Sequence, residues 1–180
     1  MSSGPSIEIS NGTPGSQGSL EQINLEASAI KNEDRLTEGL IVNKFHDTQQ
    51  GKEYHFTFEN NQIKIQNGIN KANFVIDYYG NLHIGNGHSY MAHGQPVQAA
   101  GTIKLNSDGV IRHVSNLSGH YQPNVAETVR YLNQMYNSGY ISESTWVDIY
   151  KFDKTKSGYV SKVKSVYSGP FKYMNRRFNK

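Results

Sequence analysis

The sequence predicts an α+β fold: a small, twisted antiparallel sheet of five to seven strands, one helix after Pro123, and one or two further helices. Three observations carry that expectation. Apolar and polar residues alternate with a period of two in several short runs through the middle of the chain, the pattern of half-buried strands. Turn signals rich in Gly and Asn separate those runs. Beyond Pro123 the spacing switches to the three-to-four period of an amphipathic helix.

Taken in order, residues 1–22 are rich in Ser, Gly and Pro, and after Met1 only Ile7, Ile9 and Leu20 are apolar. Burial there cannot offset the entropy of ordering, so the segment reads as a flexible linker ahead of a single domain over residues 23–180. Residues 23–43 carry a weak helical pattern in Leu25, Ala29, Ile30, Leu36, Leu40 and Ile41. Strands are expected next, at Tyr54, Phe56 and Phe58, at Ile63 and Ile65, and over residues 74–78, 82–84, 97–105 and 110–114. Asn67-Gly68, Gly80-Asn81 and Ser107-Asp108-Gly109 are the turns between them, because Asn and Gly tolerate positive φ. The simplest arrangement is a meander.

Asn124 is an expected N-cap, with Glu127 at the spacing of a capping box. Val125, Val129, Leu132 and Met135 then share one helical face, and Ser138-Gly139 supplies the stop. A second short helix is expected over residues 143–150 and a late strand over residues 159–167. The last ten residues combine Lys172, Arg176, Arg177 and Lys180 with Phe171, Tyr173 and Phe178. They read as a solvated tail, with a nucleic-acid or acidic-partner patch as the alternative.

Composition removes whole classes of function. The 180 residues include no cysteine, which excludes disulfides, thiolate nucleophiles, zinc ribbons and iron–sulfur clusters. No run approaches the ~18 apolar residues of a membrane span. Eighteen basic against fifteen acidic residues give a net charge of +3, which admits a polyanionic partner without demanding one. The first ten residues lack the basic and apolar regions of a secretory signal, so export by another route, or as part of a larger polypeptide, is the expectation.

Residues 85–123 hold the chemistry. Four of the seven histidines lie there: His88, His93, His113 and His120. His88 and His93 are five apart, not the i, i+4 pair of a helical zinc site, and residues 78–107 contain no Asp or Glu. No metal is expected. His113 falls on a strand, where it packs or faces solvent. Ser118-Gly119-His120-Tyr121 offers a hydroxyl, a flexible amide, an imidazole and a phenol just before a helix start, where an anion is favoured. A Gly-x-Ser-x-Gly elbow is absent, and Gly85-Asn86-Gly87 completes neither a phosphate loop nor a dinucleotide fingerprint.

The order His-Ser-x-Met-x-x-Gly-x-Pro-Val-x-Ala-Ala-Gly-x-Ile from His88 to Ile103, then Asp108-Gly109-Val110-Ile111, then Ser118-Gly119-His120-Tyr121-x-Pro123, resembles a module of bacterial secreted toxins and effectors. It is also similar to a block in the plant IQ-motif calmodulin-binding proteins. Thr102 stands where an acidic residue is associated with the relatives, and no IQ motif is present, so calmodulin binding is not implied.

The resemblance implies an effector or toxin domain, secreted or delivered into a target cell, alone or on a larger delivery polypeptide. Its site is expected where the 85–101 loop meets the 118–123 loop. His88, Ser89, His120 and Tyr121 are the expected catalytic groups, with Ser118, Gly119 and Glu127 in binding roles. The leading activity is an ADP-ribosyltransferase that uses NAD on a host or rival-cell protein, with Glu127 or Glu143 as candidates for the steering carboxylate. The rival is a metal-independent ribonuclease with two histidines as base and acid and a cation on the phosphate. A third reading is a non-catalytic module whose histidine-rich loop contacts a host protein.

Overall fold

The computed structural model describes residues 39–45, 47, 49–65, 68–154 and 160–178. The expected linker, and all but the last five residues of the weak helical segment at 23–43, lie outside the described residues. The elements are β1 (Lys52–Glu53), β2 (Phe56–Glu59), β3 (Gln62–Ile65), β4 (Lys71–Ile76), β5 (Leu82–Asn86), α1 (His88–Ala92), β6 (Ala99–Leu105), β7 (Ile111–Ser115), α2 (Val125–Asn137), β8 (Trp146–Lys154), β9 (Val160–Pro170) and α3 (Phe171–Phe178). Seven strands form one sheet in the order β1-β5-β4-β6-β7-β8-β9, and β2 pairs with β3 in a separate hairpin. The fold is α+β with a mostly antiparallel sheet.

The sheet is not a meander. β4 lies between β5 and β6 and is antiparallel to both, so β5 and β6 point the same way. β7 and β8 pair in parallel. Strands that run the same way cannot be joined by a tight turn and need a crossover. α1 with residues 93–98 makes the first crossover, and α2 makes the second. The segment expected as a loop at 85–101 therefore contains a short helix.

β4 is the central strand of its half of the sheet, and Phe74, Val75 and Ile76 are all buried. Farther along, the pleat separates two faces. Ile103, Val114 and Val147 are paired across β6, β7 and β8 and are at most 1% exposed. α2 packs on this face: the Tyr131 ring meets Phe74 edge-on at 6.1 Å, and its hydroxyl donates to Ala100 O at 2.9 Å. Asn124 caps α2 as expected, its Oδ1 accepting from Glu127 N at 2.7 Å while Glu127 Oε1 accepts from Asn124 N at 2.8 Å.

Three local expectations change. In place of the helix expected at 143–150, residues 143–144 form a turn and residues 146–150 begin β8, because Val147 and Ile149 are fully buried while Trp146 is exposed, a period of two. The tail is a packed helix, α3. Phe171 and Met174 are buried, Phe171 stacks on Tyr136 at 4.8 Å, and Asn175 exchanges amide hydrogen bonds with Asn133 of α2. At the end of the 23–43 segment, Ile41 forms an antiparallel bridge with Val97 instead of a helical turn.

The β1 edge is held by a buried ion cluster. His83 Nδ1 lies 2.7 Å from Glu53 Oε2, and Nε2 lies 2.7 Å from Asp77 Oδ2. Asp77 Oδ1 also accepts from Tyr79 N and Asn81 N, which closes the β4–β5 turn. Burial alone would lower the His83 pKa, but the two carboxylates outweigh it and hold the ring charged to about 9. The stabilisation is therefore fully present below the unfolded value of 6.5 and is lost as pH rises through about 9. Replacing His83 with Ala leaves two carboxylates facing each other and is expected to cost about 3–5 kcal/mol in urea unfolding. The wild type should lose stability between pH 6.5 and 9 in a limb that the variant lacks; an identical alkaline limb in both would contradict the clamp.

Candidate functional site

The two loops singled out in the sequence do meet, and a third segment joins them. Residues 41–45, 47 and 49 run across both as a strap. Lys44 N donates to His120 O at 2.7 Å, and Lys44 Nζ donates to Tyr121 O at 2.7 Å. The Phe45 ring lies edge-on to His120 at 5.9 Å. Gln49 Oε1 accepts from Tyr90 N in α1, and Gln49 Nε2 approaches His120 Nδ1 at 3.3 Å. Just past the strap, a Cβ on Gly51 would sit 2.5 Å from the Tyr90 ring, so a side chain there would push α1 away.

These contacts fix the His120 tautomer. Because Gln49 Oε1 is taken by Tyr90 N–H, its amide NH₂ must face His120, and an NH₂ can only donate. Nδ1 is therefore the acceptor, and Nε2 carries the proton and donates to Asp47 Oδ1 at 2.9 Å. The imidazole is half-buried, 17% exposed, and Asp47 is 52% exposed. A carboxylate on the protonated nitrogen and a weakly engaged lone pair on the other make a general-base arrangement.

The remaining expected site residues occupy supporting positions. His88 is buried and its Nε2–H donates to Gly101 O at 2.7 Å. Burial pulls its pKa down to about 4, against the Gly101 bond and with a further push from nearby His120. Ser89 is buried, and its carbonyl accepts Gly94 N at 2.9 Å, closing α1. Tyr121 is fully buried, and its hydroxyl donates to Gln95 O at 2.6 Å. Burial pushes the phenol well above its ordinary value. Ser118 Oγ accepts from Tyr121 N at 3.2 Å, and Gly119 is exposed, its carbonyl accepting Gln122 Nε2 at 3.0 Å. The Glu127 carboxylate is used in the α2 capping box.

His93 ends α1 in the left-handed region and is exposed. Among the described residues no group of three His, Asp or Glu side chains is placed to hold a metal ion. A depression of about 690 Å³ lies between β3, residues 68–70 and the β6–β7 turn, and its lining includes none of these site residues.

No family model, curated protein or solved structure matches this chain. The geometry alone therefore ranks the candidate residues. Asp47 and Gln49 were absent from the expected site. The signal they left is the polar run at 46–50, His-Asp-Thr-Gln-Gln, ahead of a glycine that separates it from the first strand.

His88 favours its neutral form in the fold, so its stabilisation is present above the unfolded value of 6.5 and is lost as pH falls through about 4. Replacing His88 with Ala removes the side-chain donor from the Gly101 carbonyl and is expected to cost about 1–3 kcal/mol near neutral pH. Acid titration of stability should show a limb in the wild type that flattens in the variant. Unchanged acid limbs would remove His88 from this supporting role.

Proposed function

We propose that this chain is an effector or toxin domain of the ADP-ribosyltransferase type, with His120 as its general base. The observation that carries the reading is the Asp47–His120 dyad, with Nε2–H on the carboxylate and Nδ1 presented as acceptor. In ADP-ribosyl transfer the bond between ribose and the nicotinamide ring breaks, and its electrons neutralise the cationic ring. Nicotinamide then leaves as a neutral molecule without a proton. One base is enough: Nδ1 takes the proton of the acceptor nucleophile as that group bonds to the ribose carbon, and Asp47 stabilises the imidazolium formed.

A ribonuclease of the two-histidine kind needs an acid as well, to protonate the leaving alkoxide. Among the described residues, the second histidine near this site is His88, which is buried, bonded to Gly101 and neutral down to about 4. That asymmetry favours transfer over RNA cleavage. In this reading His88, Ser89, Ser118 and Tyr121 hold the two loops in place, NAD is a substrate, and the acceptor is a protein of a host or rival cell reached by secretion or delivery.

The test is transfer of labelled ADP-ribose from NAD to target-cell proteins, with nicotinamide release measured alongside. Replacing His120 with Ala is expected to lower both by about 10²–10⁴-fold, and Asp47→Asn should lower them with the overall fold intact. Transfer undiminished in His120→Ala would overturn the assignment. NAD-independent cleavage of total RNA that requires His120 would replace it with the ribonuclease.

A further inference from the structure

One row of the sheet carries chemistry that the loop site does not use. On the face opposite α2, Lys71 of β4 is directly across from Lys104 of β6, Lys104 from His113 of β7, and His113 from Trp146 of β8. Adjacent strands lie about 4.8 Å apart, so two ammonium groups, an imidazole and an indole are strung along about 14 Å of sheet.

Both lysines are exposed, and like charges directly opposite one another on neighbouring strands repel. An anion seated between them would remove that repulsion. Trp146 is 45% exposed, yet its indole N–H donates to Ser168 Oγ at 3.0 Å. The polar edge of the ring is thus satisfied within the protein and the ring is held in place. The surface left to solvent is aromatic and ready to stack. Between the two ends, His113 Nε2 is bonded to Asp148, so the carboxylate in the adjoining row is already engaged.

We propose that this row binds a nucleotide, with the base stacked on Trp146 and the phosphate between Lys71 and Lys104. An acidic peptide would use the lysines and leave the fixed ring idle. A nucleotide uses both ends, since base stacking on an aromatic side chain and a phosphate on cations are its two means of recognition. The row is independent of the His120 site and holds whether or not that site transfers ADP-ribose.

Trp146 is the sole tryptophan of the chain, so its emission reads this row directly. The full chain is titrated at low salt with a nucleoside monophosphate, with a short single-stranded oligonucleotide of the same base, and with inorganic phosphate. Saturable quenching is expected with the nucleotide or the oligonucleotide, and inorganic phosphate should compete without quenching. Quenching by the monophosphate assigns a free nucleotide as sufficient, and quenching by the oligonucleotide alone assigns a nucleic-acid strand. The double variant Lys71→Ala, Lys104→Ala should weaken binding at least ~10-fold, with a melting temperature unchanged or raised because the like-charge pair is gone. His120→Ala should bind as the wild type does. Absence of saturable quenching with both probes, quenching that survives the double lysine variant, or quenching lost in His120→Ala would each overturn the proposal.

Discussion

Gly101 is where the sheet and both loops converge. A Cβ at this position would lie 1.9 Å from Ser115 O and 3.1 Å from the Phe74 ring, so the end of β7 can close over β6 only because no side chain is there. The carbonyl of the same residue takes the Nε2–H of His88. One backbone position thus sets the exit of the chain toward Ser118–Tyr121 and the seating of α1. The strap then fastens the two loops to each other through Lys44 and Gln49.

Three histidines in this fold illustrate how environment assigns a role to one residue type. His83 is enclosed with two carboxylates and stays charged to about 9, where it ties the β1 edge and the β4–β5 turn together. His88 is equally enclosed but faces a carbonyl, so it stays neutral and braces α1 against the sheet. His120 is half-buried with a carboxylate on one nitrogen and a long amide contact on the other, which makes Nδ1 the acceptor of the pair. Burial and partner, not sequence neighbours, separate these three cases.

Much of this was legible in the sequence because it is local. Alternation located the strands from β2 to β7, and Asn124 with Glu127 located the start of α2 to the residue. The two loops were singled out by the ordered pair of motifs at 88–103 and 118–123, and Tyr121 with Gln95 brings them together. What escaped depends on distant partners. Residues 143–150 suit a helix or a strand, and pairing with β9 on one side and β7 on the other decides for β8. Phe171, Met174 and Phe178 do carry helical spacing, but four cations around them disguised a helix that packs on α2. Asp47 and Gln49 sit in a polar run with no periodicity, and their importance comes from His120, more than 70 positions away.

Gln49 and Asp47 hold His120 in one tautomer, with Nε2 protonated and Nδ1 as the acceptor. ¹⁵N NMR of the ring nitrogens in the full chain near neutral pH reads this directly. The geometry predicts a protonated Nε2 and an unprotonated Nδ1 in the wild type, with loss of that preference when Gln49 and Asp47 are both replaced by Ala. A ring protonated at Nδ1, or one that averages both tautomers in the wild type as a free surface histidine does, would contradict it.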